Sequence, residues 1–207
     1  VTDFADNADI FFNEDLSTVF RQGKAWAYGI ELMVNKTQRK LTGSVGYTLS
    51  KAMRKIPGVN LDRPFVANYD RRHVLNVQAA YDMSERWTFG ATFTFSTGRP
   101  ITLPTGKFEY QQYYPDVITE RNGYRLPAFH RLDLSATYSP RKNASRKWKG
   151  QWVFAVYNAY NQKNPFTIYT RITKNEDGDI IGDGSTKEAR LIYLFPILPS
   201  ITYNFKF

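Results

Sequence analysis

Apolar and polar residues alternate with a period of two along most of the chain. The clearest run has Trp87, Phe89, Ala91, Phe93 and Phe95 on one face, and Thr88, Gly90, Thr92, Thr94 and Ser96 on the other. Similar runs begin near Tyr28, Leu41, Leu75, Leu132 and Trp152. Each run is about ten residues long, which is the length of a tilted strand that crosses a bilayer. The pattern predicts an all-β, antiparallel protein with about seven strands from residue 25 onward, and one more within residues 10–20.

The last eleven residues, 197–207, form another alternating run. One face carries Ile197, Pro199, Ile201, Tyr203, Phe205 and Phe207, and the other carries Ser200, Thr202, Asn204 and Lys206. This pattern fits either an edge strand of a soluble β-sandwich or a strand with one face against lipid. The aromatic last residue favours lipid, because chain ends exposed to water are usually polar.

The connections between the runs decide between these two structures. Residues 35–39, 82–85 and 140–150 form shorter connections, and residues 53–69, 98–128 and 172–187 form longer ones. Outer-membrane barrels alternate short periplasmic turns with long extracellular loops, whereas a sandwich has no reason to keep that order. We therefore predict an antiparallel transmembrane β-barrel of the cell outer membrane, with its C-terminus in the periplasm.

The side chains expected inside the barrel are mostly Gly, Ser, Thr and Asn. A narrow barrel must fill its interior with side chains, and these are too small to do so. Small polar residues suit a wide barrel that encloses water or a separate plug. We therefore expect residues 1–207 to be the C-terminal strands and loops of a larger barrel, without its plug. The remaining strands would pair the two open edges.

Composition supports a membrane barrel and excludes several other classes. Aromatic residues make up 16% of the chain, which fits girdles at two membrane interfaces. The chain has no cysteine, so a disulfide framework and a thiolate site are excluded. The net charge is +9, but its Lys and Arg residues are dispersed apart from a cluster at 141–149. A nucleic-acid binder concentrates such charge on one face, so we expect no nucleic-acid partner, and we expect no cofactor.

Six stretches resemble TonB-dependent outer-membrane receptors of the Bacteroidota, in the group with a carboxypeptidase-regulatory-like N-terminal domain. They are residues 70–73 (Asp-Arg-Arg-His), 97–104, 121–127, 130–133, 157–166 and 194–207. Their order is similar to that in the last part of the family's barrel of about 22 strands. The resemblance implies energised uptake of a large solute such as a siderophore, glycan or peptide. Outer loops would bind the solute, a plug would block the pore, and TonB would pull on the plug from the periplasm.

The resemblance also implies a set of partners. They are outer-membrane lipid and lipopolysaccharide, the barrel-assembly machinery, TonB through the plug region, and a surface lipoprotein where one is encoded nearby. The terminal strand resembles the signal that the assembly machinery recognises, so Tyr203, Phe205 and Phe207 are candidates for that role. Two alternatives to transport are a non-transporting structural barrel subunit and a membrane-embedded hydrolase. A hydrolase is disfavoured, because the chain has two histidines and no paired nucleophile.

Asp70, Arg71 and Arg72 precede a strand at the end of a long loop. The two arginines could bind lipopolysaccharide phosphates, since guanidinium groups pair with phosphate in a bidentate manner. The alternative is an Asp–Arg network that fixes the base of the loop. Both interpretations stay open at the level of sequence.

Two further groups of loop residues are candidates for binding. The loop at 98–128 carries aromatic side chains that suit sugars, peptides or chelates, or that pack loop against loop: Phe108, Tyr110, Tyr113, Tyr114 and Tyr124. Asp177, Asp179 and Asp183 are spaced partly like the ligands of a calcium loop. Ile181 breaks that register, so a solvated acidic hairpin tip is the favoured interpretation, and we predict no metal.

Overall fold

A computed structural model describes residues 2–4, 20–107, 116–140, 149–172 and 187–206. Within these ranges the chain forms strands and one short left-handed turn at Asn60–Asp62. The strands are β1 (Thr2–Phe4), β2 (Phe20–Gln22), β3 (Lys24–Lys36), β4 (Leu41–Lys55), β5 (Phe65–Val66), β6 (His73–Asp82), β7 (Trp87–Ser96), β8 (Pro100–Ile101), β9 (Gly106–Lys107), β10 (Asp116–Val117), β11 (Tyr124–Arg125), β12 (Phe129–Tyr138), β13 (Lys149–Tyr157), β14 (Pro165–Ile172), β15 (Lys187–Tyr193) and β16 (Leu198–Lys206).

Eight of these strands form one antiparallel sheet, as the alternation predicts. Seven long strands are neighbours in the order β3-β4-β6-β7-β12-β13-β16, and the two-residue β5 pairs with β4. Each of these seven strands pairs with the one before it in this series, so the sheet is a simple meander. In the described part of the chain, β3 and β16 are the two edges and do not pair with each other. The fold is an all-β partial barrel wall.

The register places apolar and polar side chains on opposite faces of the sheet. One continuous row across five strands consists of Val34, Val45, Val77, Phe93 and Leu132. The next row, one residue away, consists of Asn35, Ser44, Gln78, Thr92 and Asp133. We call the face with the first row the outer face and the face with the second row the inner face. Because neighbouring rows alternate in this way, both faces are continuous from β3 to β12.

Within the described ranges, no other part of the chain covers the outer face. Leu32 and Ile201, near the two edges, are 62% and 68% exposed. The buried apolar cluster of the described residues is small and consists of Ile56, Val59 and Phe65, under a loop and not under the sheet. An apolar face of this extent is not stable against water, and it fits the hydrocarbon region of a bilayer.

The two ends of the sheet differ in the length of their connections. At the end that carries the C-terminus, which we call the turn end, the connections are residues 37–40, 83–86 and 139–148. At the opposite end, the loop end, they are loop A (56–72), loop B (97–128) and loop C (158–197). The predicted alternation of short and long connections is therefore confirmed. Among the described residues, no helix is long and apolar enough to cross a membrane.

Aromatic pairs lie near both ends of the outer face. At the turn end, Trp87 stacks at a tilt on Tyr138 with ring centroids 4.9 Å apart, and Trp152 does the same on Tyr203 at 4.7 Å. At the loop end, two histidines bond to tyrosine hydroxyls through Nδ1, in the pairs Tyr47–His73 and His130–Tyr160, each at 2.8 Å. Trp87 and Phe95 are eight residues apart on β7, which is about 27 Å along a strand and roughly 20 Å along the axis of a tilted barrel. That span fits an apolar band about 25 Å tall.

Two details differ from the sequence prediction. Of the strand expected within residues 10–20, the structure describes only Phe20, which begins β2 and pairs with β1 outside the main sheet. The connection at 172–187 is the tip of a separate hairpin, β14–β15, and not a loop between two wall strands. Strand β13 pairs directly with β16, so the whole hairpin belongs to loop C.

Candidate functional site at the loop end

Loops A and B are joined by an ion pair between Asp70 and Arg125. The Asp70 side chain is fully buried, and its carboxylate accepts hydrogen bonds from Arg125 Nη2 and, at 2.6 Å, from the backbone N–H of Ala52. Arg125 also donates to the carbonyl oxygen of Gly98 at 3.1 Å. The aspartate is therefore part of an Asp–Arg network at the loop base, the second of the two interpretations above. Its partner is Arg125, and not one of the adjacent arginines.

Asparagine side chains reinforce this junction. Asn60 in loop A exchanges two hydrogen bonds with the backbone of Arg121 in loop B, at 2.7 and 3.0 Å. Asn122 donates through Nδ2 to the carbonyl oxygen of Val66 at 2.8 Å. Both asparagines have positive φ, a conformation that asparagine tolerates better than most residues. Loops A and B consequently form one connected unit above the wall.

Loop C has its own asparagine anchors. Asn158 is fully buried and bonds through its side chain to both backbone groups of Gln162 at 2.9 Å and to the carbonyl oxygen of Phe195 at 3.2 Å. Asn164 exchanges two hydrogen bonds with the backbone of His130, at 2.9 and 3.0 Å. Sequence reasoning did not assign these residues a role, although their clustering at 158–164 is a signal of turn chemistry.

A cationic cavity of about 460 Å³ opens on the inner face below these loops. Arg71 and Arg99 line it, together with Phe129, Tyr157, Phe166 and Phe195. Burial lowers the pKa of Arg71, and the positive charges of Arg99 and Arg125 lower it further, while Asp70 opposes them. Arg99 donates a hydrogen bond to the carbonyl oxygen of Phe166 at 3.3 Å. The cavity thus combines concentrated positive charge with aromatic walls.

A third arginine lies next to this cavity on the inner face. Arg131 binds Asp133 on its own strand at 2.9 Å, and its guanidinium carbon lies 4.0 Å from the ring centroid of Tyr157. The other oxygen of Asp133 accepts from the backbone N–H of Asn158 at 2.9 Å. The charge of Arg131 is therefore balanced locally, in contrast to those of Arg71 and Arg99.

The predicted site residues do not gather in one place. Arg71 lines the inner cavity, whereas Arg72 is half-buried and its carbonyl oxygen accepts from Ser50 N–H at 3.0 Å. Tyr124 is 47% exposed on β11, opposite Ile101. Tyr203 and Phe205 lie on β16 opposite Trp152 and Gly150. Several candidates fall outside the described residues: Phe108, Tyr110, Tyr113, Tyr114, Phe207, Asp177, Asp179 and Asp183.

Metal-binding chemistry receives no support from the described ranges. No group of three or more His, Asp or Glu side chains in them is arranged to hold a metal ion. The two histidines are each bonded to a tyrosine on the outer face, away from the cavity.

The sheet has an apolar outer face and a polar inner face, with aromatic pairs at both ends and long loops at one end. This combination defines a transmembrane β-barrel of an outer membrane. A family model described as "TonB dependent receptor-like, beta-barrel" matches residues 1–161. The chain therefore belongs to the TonB-dependent receptor β-barrel family, whose members are outer-membrane transporters and not enzymes. No curated protein and no solved structure matches it.

Proposed function

We propose that this chain is the C-terminal part of the barrel of a TonB-dependent importer for a large solute. The observation that carries the proposal is the inner face, where small polar residues line a concavity of about 780 Å³ against the sheet. Such a surface cannot close a narrow lumen, but it suits a wide barrel around a plug. In the part of the chain that the structure describes, β3 and β16 each have a strand partner on one side only, which supports the same proposal, because a sheet edge cannot face lipid unsatisfied.

In this proposal, transport begins with capture of the solute by loops A, B and C. A plug formed by a region upstream of Val1 blocks the pore until TonB pulls on it from the periplasm. The loops face the cell exterior and the C-terminus faces the periplasm, since short turns lie on the periplasmic side of such barrels. The joined base of loops A and B would let the loops present ligand groups from a fixed position.

The finer assignments are supported by the resemblance in sequence. The six matching stretches favour a receptor of the Bacteroidota, with a siderophore, glycan or peptide as solute and a surface lipoprotein as partner. Tyr203, Phe205 and Phe207 are proposed as the signal for the barrel-assembly machinery. Arg72 is proposed to meet lipopolysaccharide phosphates. Arg71 lines the inner cavity, so we assign it a different role below.

Binding of TonB tests the proposed function directly. The complete gene product, purified in detergent, should bind the isolated periplasmic domain of TonB, and a variant without the region upstream of Val1 should not. The matched uptake experiment compares cells with and without the gene, and with and without TonB, on a panel of ferric siderophores, oligosaccharides and peptides. A complete, membrane-inserted protein that does not bind TonB would instead be a structural barrel subunit.

A further inference from the structure

We propose that Arg71 and Arg99 form an anion-binding subsite for a carboxylate or phosphate group of the imported solute. The subsite lies in the cavity of the inner face below loops A, B and C. This inference rests on the proposed function, because it places the cavity beside the path by which the solute passes from the loops into the lumen. It adds a chemical class to that function: the solute is an acid with a flat or apolar body.

The position of the cavity supports this role. Ser96, Phe129 and Tyr157 in its wall are the inner-face positions of β7, β12 and β13 that lie nearest the loops. Arg71 comes from loop A and Arg99 from loop B. A solute that moves from loops A and B along this part of the wall therefore passes both arginines.

The charge balance of the cavity calls for an anion. The carboxylate that the described residues place near Arg71, that of Asp70, is already bound to Arg125 and to the backbone of Ala52. Asp133 is bound to Arg131 and to the backbone of Asn158. Among the described residues, neither Arg71 nor Arg99 forms an ion pair with a carboxylate. Arg71 is partly buried beside two other arginines, and burying unbalanced charge is unfavourable unless a partner arrives.

The two guanidinium groups are positioned, and each keeps donors that no group among the described residues engages. Arg71 donates from Nη1 to the carbonyl oxygen of Asp70 at 3.3 Å, and Arg99 donates from Nη2 to that of Phe166 at 3.3 Å. A guanidinium group has five N–H donors, so each arginine retains donors for a ligand. Carboxylate and phosphate oxygens match this donor fork in a bidentate manner.

The walls of the cavity indicate what accompanies the anionic group. Phe129, Phe166 and Phe195 present aromatic surface to the same space as the arginines. Aromatic rings bind flat or apolar groups, and the rings of tyrosine and phenylalanine also suit the faces of sugar rings. An acid that carries an aromatic or sugar ring would therefore contact both parts of the cavity, whereas a neutral solute would leave the arginines unpaired.

The test measures binding of small probes to the complete receptor in detergent. The probes are 4-hydroxybenzoate, phenyl phosphate and neutral phenol, followed by saturation-transfer NMR. A probe of about ten heavy atoms should bind with Kd of about 1–10 mM. We expect one or both acids to bind and phenol to bind at least about tenfold more weakly. The comparison of the two acids distinguishes a carboxylate site from a phosphate site.

The variant R71Q/R99Q should weaken binding of the acid at least about tenfold. Its matched control is R63Q, which removes a charge from an exposed position of loop A outside the cavity. Surface level and heat-dependent mobility of the folded barrel verify that both variants are assembled. Unchanged acid binding by R71Q/R99Q overturns the proposal. The proposal is also overturned if R71Q/R99Q lowers the stability of the receptor but leaves its affinity for the acid unchanged. That result would show that the arginines pair with the plug. A receptor that binds TonB but none of the acids contradicts this inference alone.

Discussion

Asp70 and Arg125, 55 residues apart in the chain, form an ion pair in which the aspartate side chain is fully buried and the arginine side chain is 30% exposed. The pair connects the end of loop A to the end of loop B at the rim of the wall. The two loops are therefore tied together at their bases, and each of them contributes one arginine to the cavity. The integrity of the pair should be measurable at the amide of Ala52, which donates to the same carboxylate.

Asp70→Ala should loosen the loop base without removing the barrel from the membrane. The change leaves the partly buried guanidinium group of Arg125 and the buried amide of Ala52 without the carboxylate that accepts from both. The local structure should be destabilised by about 1–3 kcal/mol. Hydrogen exchange of the Ala52 amide should accelerate roughly 10- to 100-fold, since 1.4 kcal/mol is a factor of ten. The control is Asp62→Ala, which removes an exposed carboxylate that accepts from the backbone N–H of Gly58 within the turn of loop A. Equal exchange in both variants would show that the ion pair does not fix the loop base.

Phe93→Arg should destabilise the barrel much more than Thr92→Arg. Phe93 lies on the outer face between Val77 and Leu132, whereas Thr92 lies on the inner face opposite Asp133. An arginine that faces lipid near the bilayer centre costs about 2–4 kcal/mol, and one that faces the lumen meets water and a carboxylate. The measurement is urea-induced unfolding from phospholipid vesicles. Equal losses of stability would mean that the two faces have been assigned incorrectly.

Replacement of Tyr203 and Phe205 by Asp should sharply reduce the amount of receptor in the outer membrane. Both residues lie on the outer face of β16, and Tyr203 stacks on Trp152. The control replaces Thr202 and Asn204, their inner-face neighbours, by Asp. Quantitative immunoblotting of outer-membrane fractions compares the two. Deletion of Phe207 should act in the same direction as the outer-face change. Normal levels of the Tyr203/Phe205 variant would exclude these residues as an assembly signal.

Gly98→Ala should disturb loop B, whereas Gly46→Ala should be tolerated. A Cβ at Gly98 would overlap the backbone carbonyl oxygen of Leu126, so the backbone must move. A Cβ at Gly46 would meet nothing within 4 Å. We expect a loss of about 1–3 kcal/mol for the first variant, typical of forced overpacking, and less than about 0.5 kcal/mol for the second. Vesicle unfolding and the rate of proteolytic cleavage of loop B distinguish the two variants.

The hairpin β14–β15 should weaken in acid. Hydrogen bonds from Arg171 and Arg190 lower the pKa of Glu188 below its ordinary value. A carboxyl group whose pKa is lowered on folding stabilises the folded form above its unfolded pKa, and that contribution is lost as pH falls through the folded pKa. Proteolysis of the hairpin on intact cells should therefore accelerate below about pH 4. Glu188→Gln should remove this dependence on pH, and an unchanged profile in that variant would assign it to another group.

The wall was predictable from sequence because lipid and lumen impose opposite requirements on neighbouring residues. The alternating run from Trp87 to Phe95 corresponds almost residue for residue to β7. The alternating run at 197–207 corresponds to β16, with the same residues on each face. The sequence pattern could not distinguish hairpin β14–β15 from wall strands, because apolar and polar residues alternate in the same way in a two-stranded hairpin within a loop. Its strands differ from wall strands in their pairing, which periodicity does not encode.

The loop-end site was predictable only in part. Asp70 was a candidate because of its neighbours in sequence, but its partner, Arg125, lies in another loop and no periodic pattern connects them. Arg99 was part of the stretch at 97–104, with no indication that its side chain would line a cavity with Arg71. Contacts between loops depend on the turns that the backbone makes, such as the positive φ of Asn60 and Asn122, and single-sequence patterns specify these poorly.

The most direct test of the account is the sidedness of the two ends of the wall in living cells. The chain contains no cysteine, so single cysteines can be placed at Leu61 in loop A and at Met83 in the turn 83–86, in a receptor otherwise free of cysteine. Both positions are well exposed, at 83% and 59%. A membrane-impermeant maleimide should label Leu61→Cys on intact cells, and Met83→Cys only after the outer membrane is permeabilised. Labelling of Met83→Cys alone on intact cells would contradict the orientation, and equal labelling of both would contradict a wall that spans the membrane.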